Sequence, residues 1–115
     1  MSNTATMASL SQVMTRLAKE KGIHREFRMN QNGEMTLQDN NYNYQPHDLV
    51  IIKTYRFEGA SDPADNVILY IISDQFNNKG YIIDAYGVDS NNYSEEHNHF
   101  IREIPMEDHE EYELL

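Results

Sequence analysis

Val67-Ile68-Leu69-Tyr70-Ile71-Ile72 decides the fold. It is apolar on both alternating faces, so it reads as a central strand. Before it, Val50 to Glu58 is rich in β-forming residues, with Ile51, Tyr55 and Phe57 expected on one face. After it, Tyr81-Ile82-Ile83-Asp84-Ala85-Tyr86 reads as the next strand. The loop Gly59 to Asn66 and the turn Asp74 to Gly80 separate the three. Such short connections favour antiparallel neighbours, so strands 50–58, 67–73 and 80–86 form a meander.

Working toward the N-terminus, Ile23, Phe27 and Met29 alternate with His24, Glu26 and Arg28, and Met35 and Leu37 alternate with Glu34, Thr36 and Gln38. Asn32-Gly33 lies between these runs, and both residue types tolerate positive φ, so 24–30 and 34–38 read as a hairpin with one buried face. Pro46 to Leu49 fits one helical turn, because proline suits a first helical position. Further back, Leu10, Val13, Met14, Leu17 and Ala18 fall on one helical face. Ser9 and Gln12 fit a capping box, and Gly22 fits the left-handed position that ends a helix. The helix is placed at 10–21. Ser94 is a candidate cap for a short helix carrying Phe100, Ile101 and Ile104, which Pro105 ends.

The expected fold is therefore α+β: a two-layer domain with an antiparallel sheet of about five strands, covered by the N-terminal helix and joined by a short C-terminal helix. Residues 1–8 read as a flexible N-terminus, 9–105 as the domain, and 106–115 as an acidic tail, loose or only partly docked. An unpaired sheet edge leaves both a monomer and a homodimer open.

Composition narrows the function. The 115 residues carry a formal charge of -10, and half of it lies in the last ten residues. Acidity of this degree repels nucleic-acid phosphates, so neither DNA nor RNA is an expected partner. It serves solubility first, and it also attracts a protein with a basic surface. The basic residues Arg16, Lys19, Lys21, Arg25 and Arg28 do not reverse that balance. Mean hydropathy is -0.74 and no apolar run is long enough for a membrane helix. No charged, apolar leader follows Met1, which makes the cytoplasm the default location. Cysteine is absent, which removes disulfides, thiolate catalysis and Cys-based metal sites. No GxSxG elbow is present.

Tyr55-Arg56-Phe57-Glu58-Gly59, Ser61-Asp62-Pro63-Ala64-Asp65-Asn66, Ile68-Leu69-Tyr70, Lys79-Gly80 and Asp84-Ala85-Tyr86-Gly87 resemble a family of small uncharacterised bacterial proteins. That family shares an RFEG segment, an acidic Asp-Pro loop, an apolar strand and a DAYG segment. The resemblance spans roughly residues 10–105, and its specific part is 55–87. Members sometimes carry the label phosphoribosylpyrophosphate synthetase, but the resemblance implies no activity for individual residues here. A phosphoribosyl site needs backbone N–H groups cradling phosphates in a Gly/Thr-rich loop. The loop 59–66 instead holds one glycine and two aspartates, whose charge repels pyrophosphate.

Arg56, Glu58, Asp84 and Tyr86 interrupt the best strands with polar groups. Arg56 and Glu58 share a face, as do Asp84 and Tyr86, and Arg56 pairs with Asp84 if their strands are neighbours. Their expected role is a structural ion pair on a solvated face. With Tyr55 beside them they also form the candidate ligand-binding set, and Glu58 with Asp84 is the one carboxylate pair available for acid–base work. Glu96-His97-Asn98-His99 is the local histidine cluster. On a helix, His97 and His99 point about 200° apart and cannot share a metal, so the histidines read as incidental surface residues. Tyr42, Tyr44 and Tyr93 fall in loops and read as recognition tyrosines. The expected function is a non-enzymatic protein-interaction or regulatory module, without cofactor or metal. The alternative is a small-ligand or enzymatic domain built on the polar strand residues.

Overall fold

A computed structural model describes residues 9–40, 42–57, 67–85, 95–107 and 109. The ranges 1–8 and 58–66, the segment 86–94 with Tyr86, Tyr93 and Ser94, and the tail beyond 109 lie outside the described residues.

Helix α1 spans Leu10–Lys21. The Ser9 hydroxyl accepts from the Gln12 N–H at 3.2 Å, and the Gln12 side chain accepts from the Ser9 N–H at 2.9 Å, so two orphan donors of the first turn are satisfied. Gly22 ends the helix at φ 70°, and the Ile23 N–H returns to the Leu17 carbonyl at 3.1 Å. Val13 and Leu17 are fully buried, and each contributes about 2 kcal/mol by leaving water. The Arg16–Glu20 pair on the outer face is half exposed and contributes little. The apolar stripe therefore anchors the helix.

Strands β1 (Phe27–Met29) and β2 (Met35–Leu37) form an antiparallel hairpin. Its turn is longer than a two-residue Asn-Gly turn. The Asn30 N–H reaches the Glu34 carbonyl at 2.9 Å, and of the turn residues Gly33 alone has positive φ, at 78°. After a 3-10 turn at Pro46–Asp48 come β3 (Leu49–Phe57), β4 (Val67–Asp74) and β5 (Lys79–Ala85), an antiparallel meander. Helix α2 spans Glu95–Glu103 and stops before Pro105.

The chain is α+β, as expected, but its five strands divide into two sheets, β1-β2 and β3-β4-β5. A single parallel bridge, Glu26 to Tyr81, joins them, with the Tyr81 N–H donating to the Arg25 carbonyl at 3.0 Å. The meander is covered on both faces over most of its length, and its α2 face opens to solvent at Arg56. One side packs against α1 through Ile52, Tyr55, Leu69 and Ile71. The other packs against the hairpin and α2 through Ile51, Ile72, Ile82, Phe100 and Ile101. This is why both faces of β4 are apolar.

Two residues change sides relative to the alternation. Ile51 lies opposite Ile72, yet Lys53 lies opposite Ile71, so Ile52 is an inserted residue. This bulge places Ile51 on the α2 side and Tyr55 and Phe57 on the α1 side. It also turns Lys53 toward the α1 side, where it is 8% exposed. Ile23 joins the α1 core rather than Phe27 and Met29, because regular extended structure begins only at Glu26.

The start of the acidic tail is docked. The Ile51 N–H donates to the Pro105 carbonyl at 2.8 Å, and the Glu107 and His109 N–H groups donate to Ile51 and Ile52 at 2.7 and 2.9 Å. Residues 105–107 and 109 thus lie along β3, parallel to it, at the beginning of its outer edge. Among the described residues, no helix is long and apolar enough to cross a membrane.

Candidate binding site

Arg56, Ile68 and Asp84 lie in one row across β3, β4 and β5 and share the face toward α2. Strands β3 and β5 are not neighbours, so about 10 Å of sheet separates the backbones that carry Arg56 and Asp84. Their fields meet at Tyr70, one step along β4. Its phenol is pushed above the ordinary range by burial first and by the Asp84 charge second, with Arg56 opposing. Tyr55 is on the other face, 4% exposed and stacked on Phe57 at 6.5 Å between ring centroids. It belongs to the α1 core and does not join Arg56 and Asp84. Glu58 and Tyr86 lie outside the described residues.

His97 joins Asp84 instead. On α2 and just past its end, His97, Phe100, Ile101 and Ile104 fall at i, i+3, i+4 and i+7, and all four are buried. His97 is 6% exposed, so it is not an incidental surface residue, whereas His99 on the opposite side is exposed. The helical stripe was the signal that finds it: one step back from Phe100 and Ile101 lands on His97. Burial pulls its imidazole below the ordinary range, opposed by the Asp84 charge, a hydrogen bond with Asn98 and the Glu26 charge. Burial likewise pushes the Asp84 carboxyl up, with His97 opposing. Each group is held toward its neutral form by lost solvation, the kind of perturbation that concentrates at functional sites.

Of the two, His97 lines a groove of about 300 Å³ between β1, β5 and α2. It arises because the pairing of the two sheets stops after the Glu26–Tyr81 bridge. Phe27, Met29 and Ile82 give it an apolar lining, while Glu26, Arg28 and His97 supply its polar groups. Arg28 Nε donates to Glu26 Oε1 at 2.9 Å, and the Arg28 side chain is otherwise mostly in solvent. An apolar trough with a few convergent polar groups is the ordinary form of a binding site.

Two other features stand apart. Tyr44 is buried, with its hydroxyl donating to Asp74, and is therefore a core residue rather than a recognition tyrosine. Tyr42 is 40% exposed and meets the 61% exposed Phe76 edge to face at 5.7 Å, forming a small aromatic corner. Among the described residues, no group of three His, Asp or Glu side chains is arranged to hold a metal. In comparisons with known protein families, curated proteins and solved structures, nothing matches this chain.

Proposed function

We propose that the protein is a non-enzymatic interaction module whose docking site is the groove between β1, β5 and α2. The observation that carries this reading is the buried His97 in an apolar trough of Phe27, Met29 and Ile82, with Glu26 and Arg28 as its other polar groups. Asp84 nearby and His97 are each held toward the neutral form by lost solvation, so together they do not gain the stability of an ion pair. A site that receives a ligand group recovers the cost on binding. In this reading the hairpin and the meander work as one five-stranded layer, in the order β2-β1-β5-β4-β3. The protein acts in the cytoplasm, as a monomer or homodimer and without a cofactor, as a member of the family that shares its RFEG, DPxD and DAYG segments. The alternative, a small-ligand or enzymatic domain, is favoured by the single row that carries Arg56 and Asp84.

Chemical-shift mapping with a mixed panel of small organic fragments tests the site. Backbone amides of Phe27, Arg28, Met29, Ile82 and His97 are expected to respond as one cluster at millimolar fragment concentrations typical of weak sites. A response centred on Tyr42 and Phe76, with the groove silent, overturns the reading.

A further inference from the structure

We infer that a second groove, between α1 and β5, receives the acidic tail of a second copy of this chain, so that two copies exchange tails. This goes beyond the reading above and uses a different surface. The groove holds about 240 Å³ and is made apolar by Met14, Leu17, Ala18, Ile23 and Tyr81. Its rim is basic by position. Met14, Ala18 and Lys21 fall at i, i+4 and i+7, so Lys21 continues the helix face that lines the groove. Lys19 stands one turn beyond Thr15, which also lines it, and both lysines are exposed. His24 lines the groove as well, and the carbonyl of the next residue, Arg25, accepts from the Tyr81 N–H at 3.0 Å. The acids of this region already have partners. Glu20 lies roughly 240° round the helix from Met14, where it pairs with Arg16 at 3.0 Å. Glu26 pairs with Arg28 at 2.9 Å.

The tail has the matching chemistry. Beyond His109 the chain reads Glu110-Glu111-Tyr112-Glu113-Leu114-Leu115. Its glutamates suit the basic rim, and Tyr112, Leu114 and Leu115 suit the apolar trough. A basic segment meets the lysines, and an uncharged one forgoes the rim. The tail of the same copy starts on the wrong side. The His109 N–H bonds to Ile52 on the outer edge of β3. Tyr81 is on β5, in the row of Lys53 and Ile71, and α1 packs over the strands between. Six extended residues reach about 20 Å. The route over a helix about 10 Å thick and across two strand spacings is about 30 Å. A second copy has no such detour, and a two-fold arrangement fills both grooves at once.

Sedimentation velocity of the full-length protein, from micromolar to millimolar concentration, tests this, with amide spectra of an isotope-labelled copy alongside. A concentration-dependent dimer is expected, with shifts at Met14, Ala18, His24 and Tyr81 as it forms. Lys19→Glu with Lys21→Glu is expected to weaken the dimer about tenfold, as is Glu111→Lys with Glu113→Lys. An equimolar mixture of these two variants is expected to associate again, because each tail then matches the other copy's groove. Leu114→Ser with Leu115→Ser, which changes no charge, is expected to weaken the dimer by a similar factor. Each variant is checked for a native spectrum first. A dimer that none of these changes weakens uses another interface and overturns the inference. A monomer whose groove amides move with the tail substitutions shows the tail docking within one copy, which overturns it as well. A monomer whose groove amides ignore the tail substitutions ends it outright. None of these results touches the groove between β1, β5 and α2, which the fragment panel tests separately.

Discussion

Gly80→Ala will lower the stability of the protein by about 3 kcal/mol, at the upper end of what overpacking a filled core costs. A Cβ built on Gly80 lies 2.6 Å from Leu37 Cδ1, 2.7 Å from the Arg25 carbonyl oxygen and 2.9 Å from Phe27 Cε2. Leucine and phenylalanine side chains can shift, but the Arg25 oxygen is backbone. That oxygen also accepts the Tyr81 N–H, the hydrogen bond that fastens the hairpin to the meander. Relieving the clash therefore means moving the hairpin off β5, which opens the core shared by Phe27, Leu37 and Ile82. Thermal unfolding followed by circular dichroism is expected to show Tm falling by roughly 10 °C or more, given the unfolding entropy of a chain this size. Gly33→Ala is the control: Gly33 has φ 78° with open space around it, so its cost is the left-handed backbone alone, about 1 kcal/mol. Equal effects at the two positions would show that Gly80 is not the contact point between the sheets.

Asp74→Ala is expected to cost about 3 kcal/mol at pH 7, because one buried and three partly buried donors lose one charged acceptor together. Asp74 closes the β4–β5 turn. Its Oδ1 accepts from the Phe76 and Asn78 N–H groups at 2.8 and 2.7 Å. Its Oδ2 accepts from the Tyr44 hydroxyl at 2.5 Å and from Asn78 Nδ2 at 3.0 Å. The residue is 6% exposed. Burial alone would raise its carboxyl pKa, but the hydrogen bonds from Tyr44, Asn78 and Phe76 outweigh it and hold the group below the ordinary range. The Tyr44 phenol is pushed up in turn, first by its own burial and then by Asp74.

A carboxylate whose folded pKa is depressed stabilises the fold above its unfolded pKa, about 3.9, and loses that contribution as pH falls through the folded value. Urea unfolding at pH 7 should therefore separate the wild type from Asp74→Ala by the full amount, and the gap should shrink below pH 4. A gap that stays constant into acid would mean that the charge on Asp74 contributes nothing.

The local elements were legible because their periods are strong. The i, i+3, i+4 stripe of α1 and its Ser9/Gln12 and Gly22 ends gave Leu10–Lys21 without any tertiary information. The three meander strands followed from apolar runs bounded by turn residues. The bulge at Ile52 was not legible, because nothing in Val50-Ile51-Ile52-Lys53 marks an inserted residue, and one insertion moves Ile51 to the face away from Tyr55. Tyr44 read as a loop residue because its partner, Asp74, is 30 positions away. The acidic tail read as loose or only partly docked, and composition could not say where it docks, because its pairing with β3 is made by backbone groups.

The site was half legible for the same reason. Alternation correctly gave Arg56 and Asp84 polar positions in apolar strands, but parity does not reveal that β4 lies between them. Nor does it reveal that the neighbour of Asp84 comes from a helix 13 positions further along the chain, at His97. Asp84 is the one member of the expected set that the described structure brings to the groove region, through His97.

Asp84→Asn puts the role of that residue to the most direct test, with two readouts from one variant at pH 7. The folded pKa of Asp84 is raised by burial, so above its unfolded pKa the ionised carboxylate works against folding. Removing the charge is expected to raise Tm above the wild-type value. The same change is expected to weaken the response of the groove amides to the fragment panel at least fivefold. Gain of stability with loss of binding is the signature of a group retained for function. A lower Tm with an unchanged fragment response would make Asp84 a structural residue and contradict its assignment to the docking site.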